Sequence, residues 1–274
     1  MEARWALDLS ISMDSIVLYC KSYRNDVDRV KLLLDSINKY NVDNIPFYVS
    51  VPSSDIRLFE DRVGTEGYTL VPDETIDADG IGWAGQQVIK AQFWKLGTAK
   101  NYLCLDSDSQ FIKPFHITDF IYEGDIPYTV CHEQKDFFEW TQKNLSFDPQ
   151  QSFIKDRKQV MEVFQREGRI YDFGPSPVIW NADVWRGLDE NYTKPNNLTF
   201  ADLIKFCPSE FTWYGEYLLQ SKVIPIYPTQ PLFKVFHYAE QYVQSKQQGY
   251  SLEDISKNYL GVILQSNWGA PLQY

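Results

Sequence analysis

Hydrophobic positions in the first part of the chain follow two rhythms. Ser15-Ile-Val-Leu-Tyr-Cys20 is an unbroken apolar run, which predicts a buried strand, and the polar stretch Lys21–Asn25 follows it. Val27, Val30, Leu33, Leu34, Ile37 and Tyr40 then recur at helical spacing, with Asn25 or Asp26 available as cap. Phe47–Val51, closed by Pro52, predicts a second strand, residues 54–63 a helix capped by Ser53 or Ser54, and residues 68–71 a third strand. A helix over 83–96 is ended by Gly97, and Asn101–Leu105 predicts a fourth strand. Strands alternating with helices indicate a mainly parallel sheet flanked by crossover helices. Such sheets bind ligands beyond the C-terminal ends of their strands. The loops after Cys20, Val71 and Leu105 are therefore where a site is expected.

Beyond residue 120 the pattern loosens. Strands are expected at 127–132 and 223–226, helices at 150–166 and 209–221, and a turn entering a short strand at 175–181. The polar, aromatic stretch 133–149 reads as a flap and the tail over 265–271 as a loop. No repeat, low-complexity tract or linker separates the halves. The expectation is one domain over 1–274, with a regular half at about 13–120 and an irregular, aromatic-rich half at about 121–274. Residues 1–12 read as an extension outside the core.

Composition narrows the function. Acidic residues number 37 and basic residues 26, a formal charge of −11, which argues against a nucleic-acid binder because such a protein needs a basic face. Aromatic residues are 16% of the chain, tilting slightly towards sugar or base stacking. There is no apolar run long enough to span a membrane and no secretory signal pattern at the start. The four cysteines share no C-x-x-C spacing, and Cys20, Cys104 and Cys131 sit in apolar runs, which suits reduced thiols in a cytoplasmic protein.

D-x-D occurs three times, so context has to discriminate. Asp26/Asp28 opens a predicted helix, where carboxylates suit the positive end of the dipole. Asp77/Asp79 lies in a polar loop. Only Asp106/Asp108 directly follows an apolar strand. Residues i and i+2 in an extended or tightly turned segment can face one side, and two carboxylates there suit Mn²⁺ or Mg²⁺ with phosphate oxygens completing the shell. A solvated turn is the plain alternative.

The segment Tyr102-Leu-Cys-Leu-Asp-Ser-Asp-Ser-Gln-Phe-Ile-Lys-Pro114 resembles the strand and D-x-D of GT-A fold glycosyltransferases, including the short edge element ending in Pro. Gly82–Lys90 resembles the helix that precedes D-x-D in poorly characterised bacterial polysaccharide-biosynthesis members, and Ser209–Tyr217 is similar to an acceptor-side S-E-x-x-x-Y-G segment. The resemblance runs from about Ser15 to Tyr238. It implies a GT-A-like mixed, mainly parallel sheet, a nucleotide-diphosphate sugar donor, a divalent metal on its diphosphate, and transfer to a hydroxyl of a glycan or lipid-linked glycan. It also implies donor contacts from Cys20, Lys21, Ser22, Arg24 and Asp106, and a metal shell of Asp106 and Asp108 completed by His237.

Gln86, Gln87 and Lys90 lie one turn apart on a predicted helix, so Lys90 is placed to reach a phosphate and the glutamines to reach sugar hydroxyls or Asp106. Sugar transfer with inversion needs a carboxylate base, for which Glu210 at a helix start is the candidate and Glu216 the rival. Six helical residues turn the two about 120° apart, so they are not expected to share a site. Asp172–Pro177 reads as a rigid turn lining an acceptor cleft, and Trp180, Trp213, Tyr214 and Trp268 are candidates for stacking on sugars. A lipid-linked acceptor would bring the chain to the inner face of the cytoplasmic membrane, although no basic amphipathic helix supports this. Two other classes compete. One is a non-catalytic carbohydrate-binding protein. The other is a haloacid-dehalogenase-like phosphatase, disfavoured because some 90 residues precede the motif, Gln110 departs from its pattern and no G-D-x-x-x-D follows.

Overall fold

The computed structural model describes residues 14–77 and 82–274. Residues 1–12, read as an extension, and Asp79 lie outside the described residues. In chain order, β1 (Asp14–Lys21) leads through a tight turn at Arg24–Asp26 into α1 (Val27–Tyr40). β2 (Phe47–Val51), α2 (Ile56–Val63), β3 (Thr69–Pro72), α3 (Gly82–Gln92) and β4 (Ala99–Leu105) complete the regular half. β5 (Ser109–Phe111), β6 (Ile121–Glu123) and β7 (Ile126–Val130) precede α4 (Lys135–Asn144) and α5 (Pro149–Val163). Then come β8 (Val178–Asn181), α6 (Ala182–Leu188), α7 (Phe200–Phe206) and α8 (Glu210–Ser221). β9 (Tyr227–Thr229), β10 (Phe233–Phe236), α9 (Ala239–Gln247), α10 (Leu252–Ser256) and β11 (Gly261–Leu264) close the chain.

The protein is mixed α/β. Its main sheet has the order β3-β2-β1-β4-β8, parallel except for β8, which runs antiparallel to β4. Because side chains alternate across a strand, each central strand feeds two cores. Val17, Tyr19, Tyr102, Cys104 and Trp180 pack against α3, α6, α7 and α8. Ile16, Leu18, Cys20, Leu103 and Leu105 pack against α1 and α2 on the other face. Coverage of both faces explains why the strands read as unbroken apolar runs. Two three-stranded sheets, β10-β11-β5 and β6-β7-β9, build the second half.

Three local expectations are corrected. The supposed flap at 133–149 contains α4, since Phe138 and Thr141, three residues apart, are buried on one face of a helix. The strand expected at 223–226 forms instead at β9, where Tyr227 pairs with Tyr128. Serines 53 and 54 do not cap α2, because a tight turn at Ser53–Asp55 intervenes and the Ser53 hydroxyl donates to Glu74 at 2.6 Å. At α8 Ser209, read from the sequence as the first helical residue, is the cap, its Oγ accepting the Thr212 N–H at 3.3 Å.

Candidate functional site

β1 and β4 are neighbours, and the chain departs from them to opposite sides of the sheet, β2 and β3 on one side and β8 on the other. Such a reversal is a topological switch point, and open α/β sheets bind ligands at the C-terminal ends of the strands there. Cys20 pairs with Leu105, so Lys21, the last residue of β1, and Asp106, the first beyond β4, follow side by side.

Asp106 is held at its amide and at its carboxylate. Its amide donates to Ser176 Oγ at 3.1 Å, and that hydroxyl donates to the Cys104 carbonyl at 3.3 Å. Its carboxylate accepts from Lys90 Nζ at 2.5 Å. Lys90 also lies 3.6 Å from the Glu210 carboxylate, so one buried ammonium serves two acids. Burial alone would push the Lys90 amine down, but the Asp106 and Glu210 charges hold it well above its ordinary value. Burial pushes Glu210 up against the opposing pull of Lys90.

Asp108 is the unusual group. Oδ2 accepts the Ser266 N–H at 3.0 Å, but Oδ1 is buried with no hydrogen-bond partner. Burial first and the Asp106 charge second push its carboxyl up to about 7. An orphaned carboxylate oxygen beside a second carboxylate fits a divalent cation, which would supply the missing partner. Among the described residues, no three His, Cys, Asp or Glu side chains come together as a metal cage, so ligand or solvent oxygens would have to complete the shell.

Cys20 is fully buried, with its thiol 3.7 Å from the Lys21 carbonyl, so it has no surface to offer a nucleotide, which corrects its assignment as a donor contact. Lys21 is likewise corrected. It is buried in an ion pair with Asp73 at 2.8 Å, so its charge is already neutralised. Ser22 is buried with an unpartnered hydroxyl, and Arg24 grips Asp55 through Nε at 2.9 Å and Nη2 at 2.6 Å. Gln87 accepts the Glu210 N–H at 3.3 Å, an interior role rather than a sugar contact, while Gln86 is half-buried.

His237 directly follows β10, and Gln265 and Ser266 directly follow its partner strand β11. Its imidazole bonds Gln265, lies 4.7 Å from the Phe137 ring, and is pushed down to about 4, chiefly by burial. Glu216 is wholly buried and closed off by a two-pronged bond from Arg166, away from Glu210 as its helical spacing requires. Trp180, Trp213 and Tyr214 are core residues, correcting the idea that they stack on sugars, and the half-buried Trp268 donates its indole N–H to the Phe236 carbonyl at 3.0 Å.

Several site residues escaped sequence reading. Asp26, dismissed as a helix-start carboxylate, makes no capping bond and instead accepts from Ser107 at 3.0 Å, the residue between the two aspartates. Burial pushes Asp26 up too, opposed by Ser107 and Arg29. Ser176 stands between two prolines, both preceded by cis bonds, and Ser266 lies in what read as a featureless tail. A cleft of about 820 Å³ opens nearby but does not centre on the aspartates. It lies between α4, β10, α9 and α10, and its lining includes Pro175, the neighbour of the Ser176 that holds Asp106, and His237, whose partner Gln265 precedes the Ser266 that holds Asp108.

Fold and site together define an α/β protein with an acidic, partly unsatisfied cluster at the switch point of a mainly parallel sheet. The chain belongs to a family of unknown function, DUF6492, whose model matches residues 9–256. No curated protein matches it.

Proposed function

We propose that the protein is a metal-dependent glycosyltransferase of GT-A type, moving a sugar from a nucleotide-diphosphate donor to a hydroxyl of a glycan acceptor in surface polysaccharide synthesis. The observation that carries this reading is Asp108 Oδ1, a buried carboxylate oxygen without a partner, two residues from Asp106 at the sheet's switch point. Asp106 and Asp108 would hold Mn²⁺ or Mg²⁺. The cation, when bound, neutralises the charge that develops on a diphosphate leaving group. Lys90 fixes the Asp106 carboxylate, and Ser176 fixes its backbone. Glu210, buried and paired with Lys90, acts on Lys90 rather than on the acceptor, and Glu216 is closed off by Arg166. Nucleotide-sugars place such a reaction in the cytoplasm, and no helix among the described residues is long and apolar enough to cross a membrane.

The test is thermal unfolding with uridine and guanosine diphosphates, with and without Mn²⁺ or Mg²⁺. A nucleotide at a hundred times its Kd stabilises by ~2.7 kcal/mol. The stabilisation is expected only with metal, and is expected to vanish in Asp108→Ala while the fold persists. No shift with any nucleoside diphosphate, or a shift untouched by Asp108→Ala or by excess chelator, overturns the reading.

A further inference from the structure

The 820 Å³ cleft beside the aspartate rim falls within the ~300–1,000 Å³ span usual for ligand sites. Its charges are almost all accounted for. Glu133 is held by Lys135 at 2.8 Å and Arg169 at 2.6 Å, and Asp254 by Lys257 at 2.7 Å. Asp172, packed behind the cleft wall, is held by Arg157 at 2.7 Å. Two groups are left over. Asp136 is exposed on the first turn of α4, where water solvates it. Lys234 is half-buried on β10 and lines the cleft, and among the described residues no ion pair reaches its ammonium.

That ammonium lies 5.9 Å from the centroid of the Tyr259 ring. Burial pushes the Lys234 amine below its usual value, and Asp136 only partly offsets this. A partly desolvated cation without a counter-ion is a standing cost that an anionic ligand removes. The rest of the lining suits a sugar. Phe137 and Trp140 are half-buried at the mouth, both stacked with Tyr238, at 6.3 and 6.0 Å between centroids. Apolar ring faces of that kind pack against the C–H faces of pyranoses, while the exposed Gln230 and Gln248 offer amides to hydroxyls.

We propose that this cleft is the acceptor site and that it selects a glycan carrying an anionic group, a carboxylate or a phosphate, set against Lys234. The proposal rests on the glycosyltransferase reading, but its test does not pass through the donor. Binding to the intact chain, without nucleotide, is measured by calorimetry for three ligands: a uronate-containing oligosaccharide, the same oligosaccharide with its carboxyls reduced to alcohols, and a glycan phosphate. The wild type is expected to bind at least one anionic ligand about tenfold more tightly than the reduced oligosaccharide, the size of one charge-assisted hydrogen bond. Lys234→Met, which keeps the aliphatic stem, is expected to bring that ligand down to the neutral affinity, and Lys234→Arg to restore the preference. Whichever anionic ligand loses its advantage in Lys234→Met identifies the group. Equal wild-type affinity for the acidic and reduced oligosaccharides overturns the proposal without any variant. So does failure of all three to bind while nucleotide and metal still shift the melting temperature. Anion selectivity without nucleotide binding supports the cleft and overturns the transferase reading alone.

Discussion

Lys90→Met should separate what Asp106 and Glu210 each draw from their shared ammonium. Asp106 keeps a third of its side chain in solvent, 35% exposed, so water takes over much of what Lys90 supplied. Glu210 is 4% exposed and has no such recourse. Removing one partner from a buried ion pair costs ~3–5 kcal/mol. A 3.6 Å separation places the expected loss near the low end, about 3 kcal/mol. Glu210 escapes by taking up a proton, and this gives the effect a pH signature. Burial already raises its carboxyl, so the stability associated with its neutral form is present below the ordinary carboxylate range and is lost as pH rises through the raised value. Without Lys90 that value rises further, so the destabilisation should be smaller at an acidic than at a mildly alkaline pH. In Lys90→Met/Glu210→Gln no buried charge remains, and most of the loss should return, a coupling of ~2 kcal/mol or more. Urea unfolding of the four proteins at both pH values measures this, given a common slope. Additive single effects, or a loss independent of pH, would refute the shared-ammonium description.

Other outcomes test the frame around the site. Gly215→Ala on α8 would put a Cβ 2.0 Å from the buried Phe173 ring, so a loss of about 3 kcal/mol is expected, largely relieved by Phe173→Leu in the same chain. Arg166→Met strands the wholly buried Glu216 and should lower the urea midpoint by the equivalent of ~3–5 kcal/mol, while nucleotide affinity in the folded protein stays as it was. Burial pushes all four thiols up, Cys131 and Cys207 to about 11, so native protein near neutral pH should react slowly with a disulfide reagent, and denatured protein should release four thiols at once.

The main sheet was legible because its strands are covered on both faces. Ser15–Cys20 and Asn101–Leu105 had to be unbroken apolar runs, and the helices between them had to carry one apolar stripe. The same logic singled out Asp106/Asp108 among three D-x-D pairs, since only that pair leaves a strand. β11 was not legible, because a glycine and three apolar residues carry no period, and its strand identity comes from pairing with β10 on one side and β5 on the other. Lys90, Gln87 and Glu210 were picked out for their chemistry but not for one another, since 120 residues separate Lys90 from Glu210 along the chain. Cys20 and Lys21 show the converse. Loop position suggested ligand contact, yet the fold buries one and neutralises the other with Asp73. Local pattern thus determined the strands, the crossover helices and the place where a site must open, because burial periodicity is a property of neighbouring residues. Only the tertiary structure decided which charges there are paired, which oxygen of Asp108 is left without a partner, and that Lys234 faces a cleft without a counter-ion, because pairing depends on residues that meet only when the chain has folded.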